Sequence, residues 1–272
     1  MGGRGALTYN LQMSWASRRR TAYVTGIILF FVVVLGGPLA YWYFSIPATC
    51  SDGIRNQGET SPDKGGPCLV VDEQALQPHA TLWTRSFRVR DGSYNAAAYI
   101  QNPNSEAGVR AAHYRFGLYD SKNILVAERE GTMYIMPGGV TPVLQARIET
   151  GNRIVAHTYF EFIEPLVWER MKNAAGPISV NNKDLTNTSE MPRLTAIAQN
   201  SAVVDIRNIS FIAVIFDPAG NAFAASATSL QRLGADESSQ IVFTWPDPFA
   251  IQSGRIDITP LVPPLLVTTE QR

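Results

Sequence analysis

The sequence predicts a mainly β protein: an N-terminal single transmembrane helix followed by two tandem antiparallel β-sandwich domains. Three observations carry that reading. An uncharged apolar run extends from Thr21 to Phe44. Short alternating apolar segments fill the rest of the chain. One pattern of residues occurs twice, about 97–98 positions apart.

The run begins Thr21-Ala-Tyr-Val-Thr-Gly-Ile-Ile-Leu and ends Leu39-Ala-Tyr-Trp-Tyr-Phe44. As a helix it reaches about 36 Å at 1.5 Å per residue, enough for a bilayer core of about 30 Å. Tyr23 at one end and Tyr41, Trp42 and Tyr43 at the other suit the two membrane interfaces. Gly36, Gly37 and Pro38 would weaken a soluble helix but are tolerated in a membrane. Residues 1–20 carry Arg4, Arg18, Arg19 and Arg20 and no acid. Excess positive charge stays cytoplasmic, which places residues 1–20 in the cytoplasm, 21–46 in the membrane and 46–272 outside. Because the whole chain is neutral, the part after residue 20 carries 0 − 4 = −4, which argues against a nucleic-acid partner. A cleaved signal peptide would have a shorter apolar core and a small-x-small site. The run's length and bulky end favour an uncleaved anchor, with cleavage, or lipidation at Cys50, as the alternatives.

Cys50 and Cys68 are the two cysteines. An even count on the oxidising side of a membrane reads as one disulfide. The closed loop has almost no apolar residue, so a crosslink worth about 3 kcal/mol is the means by which it holds a shape. Asp52, Asn56, Glu59 and Asp63 offer hard oxygen donors that a weak Ca2+ site would use. The spacing is not that of an EF-hand, and Asn, Asp and Gly also populate turns for local reasons. The loop resembles a cysteine motif of bacterial cell-surface proteins, Cys-x-Asp-Gly-x-x-Asn-x-x-Glu-x-x-x-Asp-Cys-Gly-Gly-x-Cys. It matches at Cys50, Asp52, Gly53, Asn56, Glu59, Asp63, Gly65, Gly66 and Cys68, and departs at Lys64. The resemblance implies a surface location.

The first copy of the repeated pattern contains Ala98-Tyr-Ile-Gln-Asn-Pro, then Ala112-His-Tyr-Arg-Phe-Gly-Leu-Tyr-Asp, then Asn123-Ile-Leu-Val-Ala-Glu. The second contains Ala196-Ile-Ala-Gln-Asn-Ser, then Ile209-Ser-Phe-Ile-Ala-Val-Ile-Phe-Asp, then Asn221-Ala-Phe-Ala-Ala-Ser. Tyr114, Phe116 and Leu118 alternate with polar or small residues, the period of a half-buried strand. Phe211 to Phe216 is more continuously apolar, as in a strand buried on both faces. Asp120-Ser-Lys-Asn and Asp217-Pro-Ala-Gly-Asn read as hairpin loops. Further strands are expected at 143–149, 154–163, 178–180, 239–245 and 255–258. Short strands without an amphipathic helix argue for sandwiches at 83–170 and 171–260. Residues 47–82 would be the cysteine loop and a linker, and 261–272 an apolar, Pro-containing tail that forms an edge strand or docks on a partner.

Phe116-Gly117-Leu118-Tyr119-Asp120 spells the signature of the FxLYD family, and Asn102 and Gly131 extend the likeness over about residues 84–164. The resemblance implies an immunoglobulin-like sandwich of a surface protein, with no reaction attached. The second copy, ending in Phe216-Asp217, is degenerate. In this reading Phe116, Leu118 and Tyr119 are core or structural, and Asp120 and Asp217 open turns. No catalytic residue is nominated. His79, His113 and His157 lack metal-ligand spacing, and neither a Gly-x-Ser-x-Gly elbow nor a phosphate loop occurs. The expected function is non-enzymatic: an interaction, adhesion or spacer module of the cell envelope, meeting a protein, a glycan or another copy. A subunit of a secretion, division or envelope assembly is the alternative, and an envelope hydrolase with a cryptic site the second.

Overall fold

The computed structural model describes residues 15–44 and 49–264. Arg4, the end of the expected membrane segment at 45–46 and most of the tail, 265–272, lie outside the described residues. The chain divides into two units, residues 1–49 and 50–272.

The first unit is one helix, α1 (Trp15–Phe44). It begins six residues earlier than the apolar run because Arg18, Arg19 and Arg20 continue it; arginine is a good helix former. Arg18–Tyr41 is long and apolar enough to cross a membrane, a test that a signal sequence also passes. Among its described side chains nearly all are exposed, and from Thr21 to Tyr41 they form no polar face of the kind that marks a soluble surface helix.

Beyond the cysteine loop, the second unit is mainly β. Its first sandwich has one sheet in the order β1 (Ala80–Arg90), β2 (Ser93–Asn102), β5 (Gly139–Glu149). The other has the order β4 (Leu125–Ile135), β3 (Ala107–Tyr119), β6 (His157–Phe162), with β7 (Trp168–Arg170) also on β3. All pairings are antiparallel. Between the sheets lie Tyr94, Ala96, Ala98, Ile100, Tyr114, Phe116, Leu118 and Ile148.

The second sandwich repeats the wiring of β1–β6, with no counterpart of β7 among the described residues. Its sheets run β12 (Ser238–Thr244), β9 (Arg193–Asn200), β8 (Ile178–Thr186), and β11 (Ala222–Leu233), β10 (Ile206–Phe216), β13 (Arg255–Leu261). Even an irregularity recurs: the register slips next to each hairpin, between Leu118 and Tyr119 and between Ile215 and Phe216; β3 and β4 also slip between Val109 and Ala112. A bulge at the same place in both copies fixes the same extra twist. β13 is an edge strand with Pro260 on the sheet border, and it ends at Leu261, the first residue of the expected tail.

The sandwiches are not separate beads. The outer face of β1-β2-β5 packs on the outer face of β11-β10-β13. One core cluster joins Phe87, Ala97 and Tyr99 of the first sandwich to Phe211, Val214 and Phe216 of the second. Trp83, Tyr99 and Phe216 meet with ring centroids 4.4–6.2 Å apart. Arg85 donates to the Ala222 carbonyl and Asn221 Oδ1, and Asn95 Nδ2 to the Ala225 carbonyl. The result is four sheets in layers. It explains why β2 is buried from Ala96 to Ile100 and β10 from Phe211 to Phe216: each is covered on both faces.

The expected linker is likewise structured. Val70 bridges Glu169, Arg170 N–H donates to the Leu69 carbonyl, and Val71 N–H donates to the Trp168 carbonyl. A 3-10 turn, Glu73–Ala75, follows, and β1 starts at Ala80. The cysteine loop is thereby fastened to the first sandwich rather than forming a free stalk.

Candidate functional site

Cys50 and Cys68 are joined, with Cα atoms 5.5 Å apart. Of the four candidate donors of the loop, Asp52, Glu59 and Asp63 turn onto its backbone, whereas Asn56 donates to Asp52 and its Oδ1 is buried without a partner. Asp52 Oδ1 accepts from Ile54 N–H at 2.8 Å and Oδ2 from Asn56 Nδ2 at 2.9 Å. Both Asp63 oxygens accept from Gly53 N–H at 3.0–3.1 Å. Glu59 is 3% exposed, and its Oε2 accepts from Asn56 and Asp63 N–H. Its Oε1 lies 3.0 Å from Cys68 Sγ, a disulfide sulfur without a proton to give. Cys50, Glu59 and Cys68 hold their ligand atoms within 4.8 Å, but the two sulfurs are bonded to each other and so do not form a thiolate pair. Chemically, these contacts replace a core by fixing turns.

The repeated Asn and Asp residues do equivalent work in both copies. Asn102 and Asn200 are fully buried. Asn102 Nδ2 donates to the Ala107 and Met136 carbonyls, while its Oδ1 accepts from Asn104 N–H. Asn200 Nδ2 reaches the Val204, Leu233 and Gly234 carbonyls, and its Oδ1 accepts from Ala202 N–H. Asp120 Oδ1 accepts from Ile124 and Lys122 N–H, and Oδ2 from Arg153. The Ile124 N–H, then Arg153, hold its carboxyl below the usual range. Asp217 Oδ1 accepts from Asn221 N–H at 2.7 Å, which lowers that carboxyl in the same way.

The histidines are dispersed. His79 lies against Phe162 and Trp168, each ring 5.7 Å away, and burial pushes its imidazole below the ordinary value. His113 Nδ1 is 3.1 Å from Thr132 Oγ1, and its Nε2 is 4.0 Å from Glu164 on open surface. His157 stands on β6, across from Tyr119.

Two surface features were not anticipated from sequence. The first is a cleft of about 330 Å3 at the junction, walled by Phe87, Asn95, Phe223, Trp245, Phe249 and Ile251. The Trp245 indole N–H is buried there without an acceptor. Trp245-Pro-Asp-Pro-Phe249 is a visible signal in the sequence; it is held within its own copy by Phe223 and by the Pro192 and Thr188 carbonyls, while the opposite wall, Phe87 and Asn95, comes from the first copy.

The second feature is the outer face of β4-β3-β6. Arg115 sits at its centre, 2.8 Å from Glu130, 3.4 Å from Glu161 and 3.6 Å from Glu128. These carboxylates raise the guanidinium's already high pKa, the Glu130 hydrogen bond first. Beside it Gly117 leaves room for the Tyr119 ring, which would lie 2.8 Å from a Cβ at that position. Tyr159, 59% exposed, meets Tyr119 edge-on at 5.3 Å. Tyr119, expected from sequence among the core or structural residues, lies on this outer face, half-buried over Gly117, and only the register brings the two tyrosines and three glutamates together.

No protein-family model matches this chain, and no curated protein does. Among solved structures it is similar to red sea bream transglutaminase, at 10% identity and a TM-score of 0.22, over 67% of this chain and 31% of that one. The protein pT26-6p gives 6% identity and a TM-score of 0.22, over 69% and 62%. Bacteroides uniformis β-glucuronidase gives 15% and 0.18, over 65% and 23%. The chain thus spans under a third of the transglutaminase.

Proposed function

We propose that this is a single-pass, membrane-anchored, extracytoplasmic protein of bacterial type, non-enzymatic, whose paired sandwiches act as an interaction or spacer module of the cell envelope. The observation that supports this reading is the shared core between the two sandwiches. A stack fastened by Trp83, Tyr99 and Phe216, and by Arg85 on the Asn221 turn, presents its outermost faces at a fixed separation. A spacer or presenting module needs that rigidity. The polar residues repeated between the copies support it too, because their donors and acceptors are engaged in holding loops. On this reading the cystine loop is a clip between the anchor and the first sandwich.

Thiol labelling of intact cells tests the placement. Cys50 and Cys68 become reactive to an impermeant reagent after reduction, without permeabilisation; labelling that requires permeabilisation overturns the placement. Recovery of the solubilised protein with a partner or as a self-associated species supports interaction. Recovery of a lone monomer argues against it.

A further inference from the structure

The internal repeat gives the free face of the first sandwich a counterpart that is already occupied. β3 and β10 are equivalent strands, so Arg115, Gly117 and Tyr119 correspond to Ile212, Val214 and Phe216. In the second copy this face is a docking surface. Phe216 seats its ring against Trp83 and Tyr99 of the neighbouring sandwich, and the Arg255 guanidinium lies 4.0 Å over the same ring. Arg255 is the residue across the strand pair from Phe216. In the first copy the residue across from Tyr119 is His157.

The open face differs from its counterpart in two ways. Its apolar positions are replaced by charge, with Glu128, Glu130 and Glu161 around the single Arg115. It also keeps an aromatic shelf, with Tyr119 over Gly117 and Tyr159 standing edge-on beside it. A third sandwich cannot stack there as the second does, because Arg115 and its glutamates would be buried. The far face of β12-β9-β8, the surface another copy would offer, carries Ser179, Thr195, Gln199 and Gln240 with the cation Arg193 at one end and Asp184 beside it. It does not complement three carboxylates.

We propose that the outer face of β4-β3-β6 docks a different protein through a basic segment. A Lys or Arg of that segment stacks on the Tyr119–Tyr159 shelf and pairs with Glu128 and Glu161. The partner supplies the cation that Arg255 supplies in the second copy. Ring faces attract cations, Arg above all, and tyrosine is a favoured anchor at protein interfaces. The site rests on the interaction reading above and names the chemistry of its partner.

The test uses the full chain in detergent and a hexa-arginine peptide, with hexa-glutamate as control, at low and moderate salt. Expected is saturable binding of the basic peptide only. Tyr159→Ala, at an exposed position, weakens it at least tenfold, as does the double change E128Q/E161Q. Binding that is unchanged in Tyr159→Ala is general electrostatic attraction and overturns the proposal, as does equal binding of the acidic peptide or none of either. The thiol-labelling result is independent: labelling only after permeabilisation, together with Tyr159-dependent binding, rejects the placement and leaves this surface standing.

Discussion

Asn102 and Asn200 each tie a loop to a strand end far along the chain. The carbonyls they reach include Met136 and Gly234, both 34 positions away. Removing such a side chain leaves buried carbonyls unpaired, each at about 1–3 kcal/mol. Asn102→Ala and Asn200→Ala should therefore each lower unfolding free energy by about 2–3 kcal/mol in urea titrations, with m unchanged. A loss below about 0.5 kcal/mol would show that water replaces the amide. Both residues end their strands, but their acceptors lie on non-neighbouring segments and could not be read from spacing. His79 gives a second residue-level effect. Burial against Phe162 and Trp168 favours the neutral ring, so the unfolded chain binds the proton more readily. The folded-state pKa is depressed, so this contribution is fully present above the ordinary value of 6.5 and declines as pH falls through it. Thermal unfolding followed from pH 7.5 to 5 should show a decline that His79→Phe reduces; parallel curves would assign the decline elsewhere.

At the scale of elements, close approach is decided by missing side chains. A Cβ at Gly131 would stand 2.5 Å from Tyr114 Oη and 2.6 Å from Cζ, so β4 can lie over that ring only with glycine there. Tyr114 is buried between Phe116 and Phe160 and cannot yield freely. Gly131→Val should destabilise the first sandwich by about 1–3 kcal/mol, the range of overpacking, measured by chemical denaturation. Retained stability would mean the ring has another place to go. Gly131 was visible in sequence as part of the FxLYD resemblance, whereas its physical reason needs the register Tyr114↔Gly131. The cysteine loop was legible for a different reason: it has two cysteines and, apart from Ile54, almost no apolar residue, so the crosslink was its evident means of order. Its attachment through Leu69–Val71 to β7 was not legible, because that pairing spans about a hundred residues. Replacing both cysteines with serine should cost about 3 kcal/mol at most. The sandwiches should remain folded by circular dichroism, since they share no core residue with the loop.

For the whole molecule, the deciding fact is that β2 and β10 are buried on both faces. Phe211–Phe216 already read as doubly buried in the sequence, but a continuous apolar run does not say what covers it. Ala96-Ala-Ala-Tyr-Ile100 carried the same signal more faintly, because alanine is small enough to sit on either side of a sheet. With a common core cluster, neither sandwich can expose its junction face without uncovering apolar surface on the other. Unfolding of the β unit should therefore be one cooperative transition in calorimetry, not two. Phe216→Ala removes the ring shared by Trp83, Tyr99 and Arg255 and should cost about 3–5 kcal/mol, the range for emptying an aromatic site in a core. If the junction is only an adhesive contact, the variant will instead split the transition, with the first sandwich melting as before. That outcome would make the pair a flexible tether. A single transition, shifted as a whole, is what a rigid presenting stack requires, because a face is held at a fixed distance only if the layers beneath it yield together.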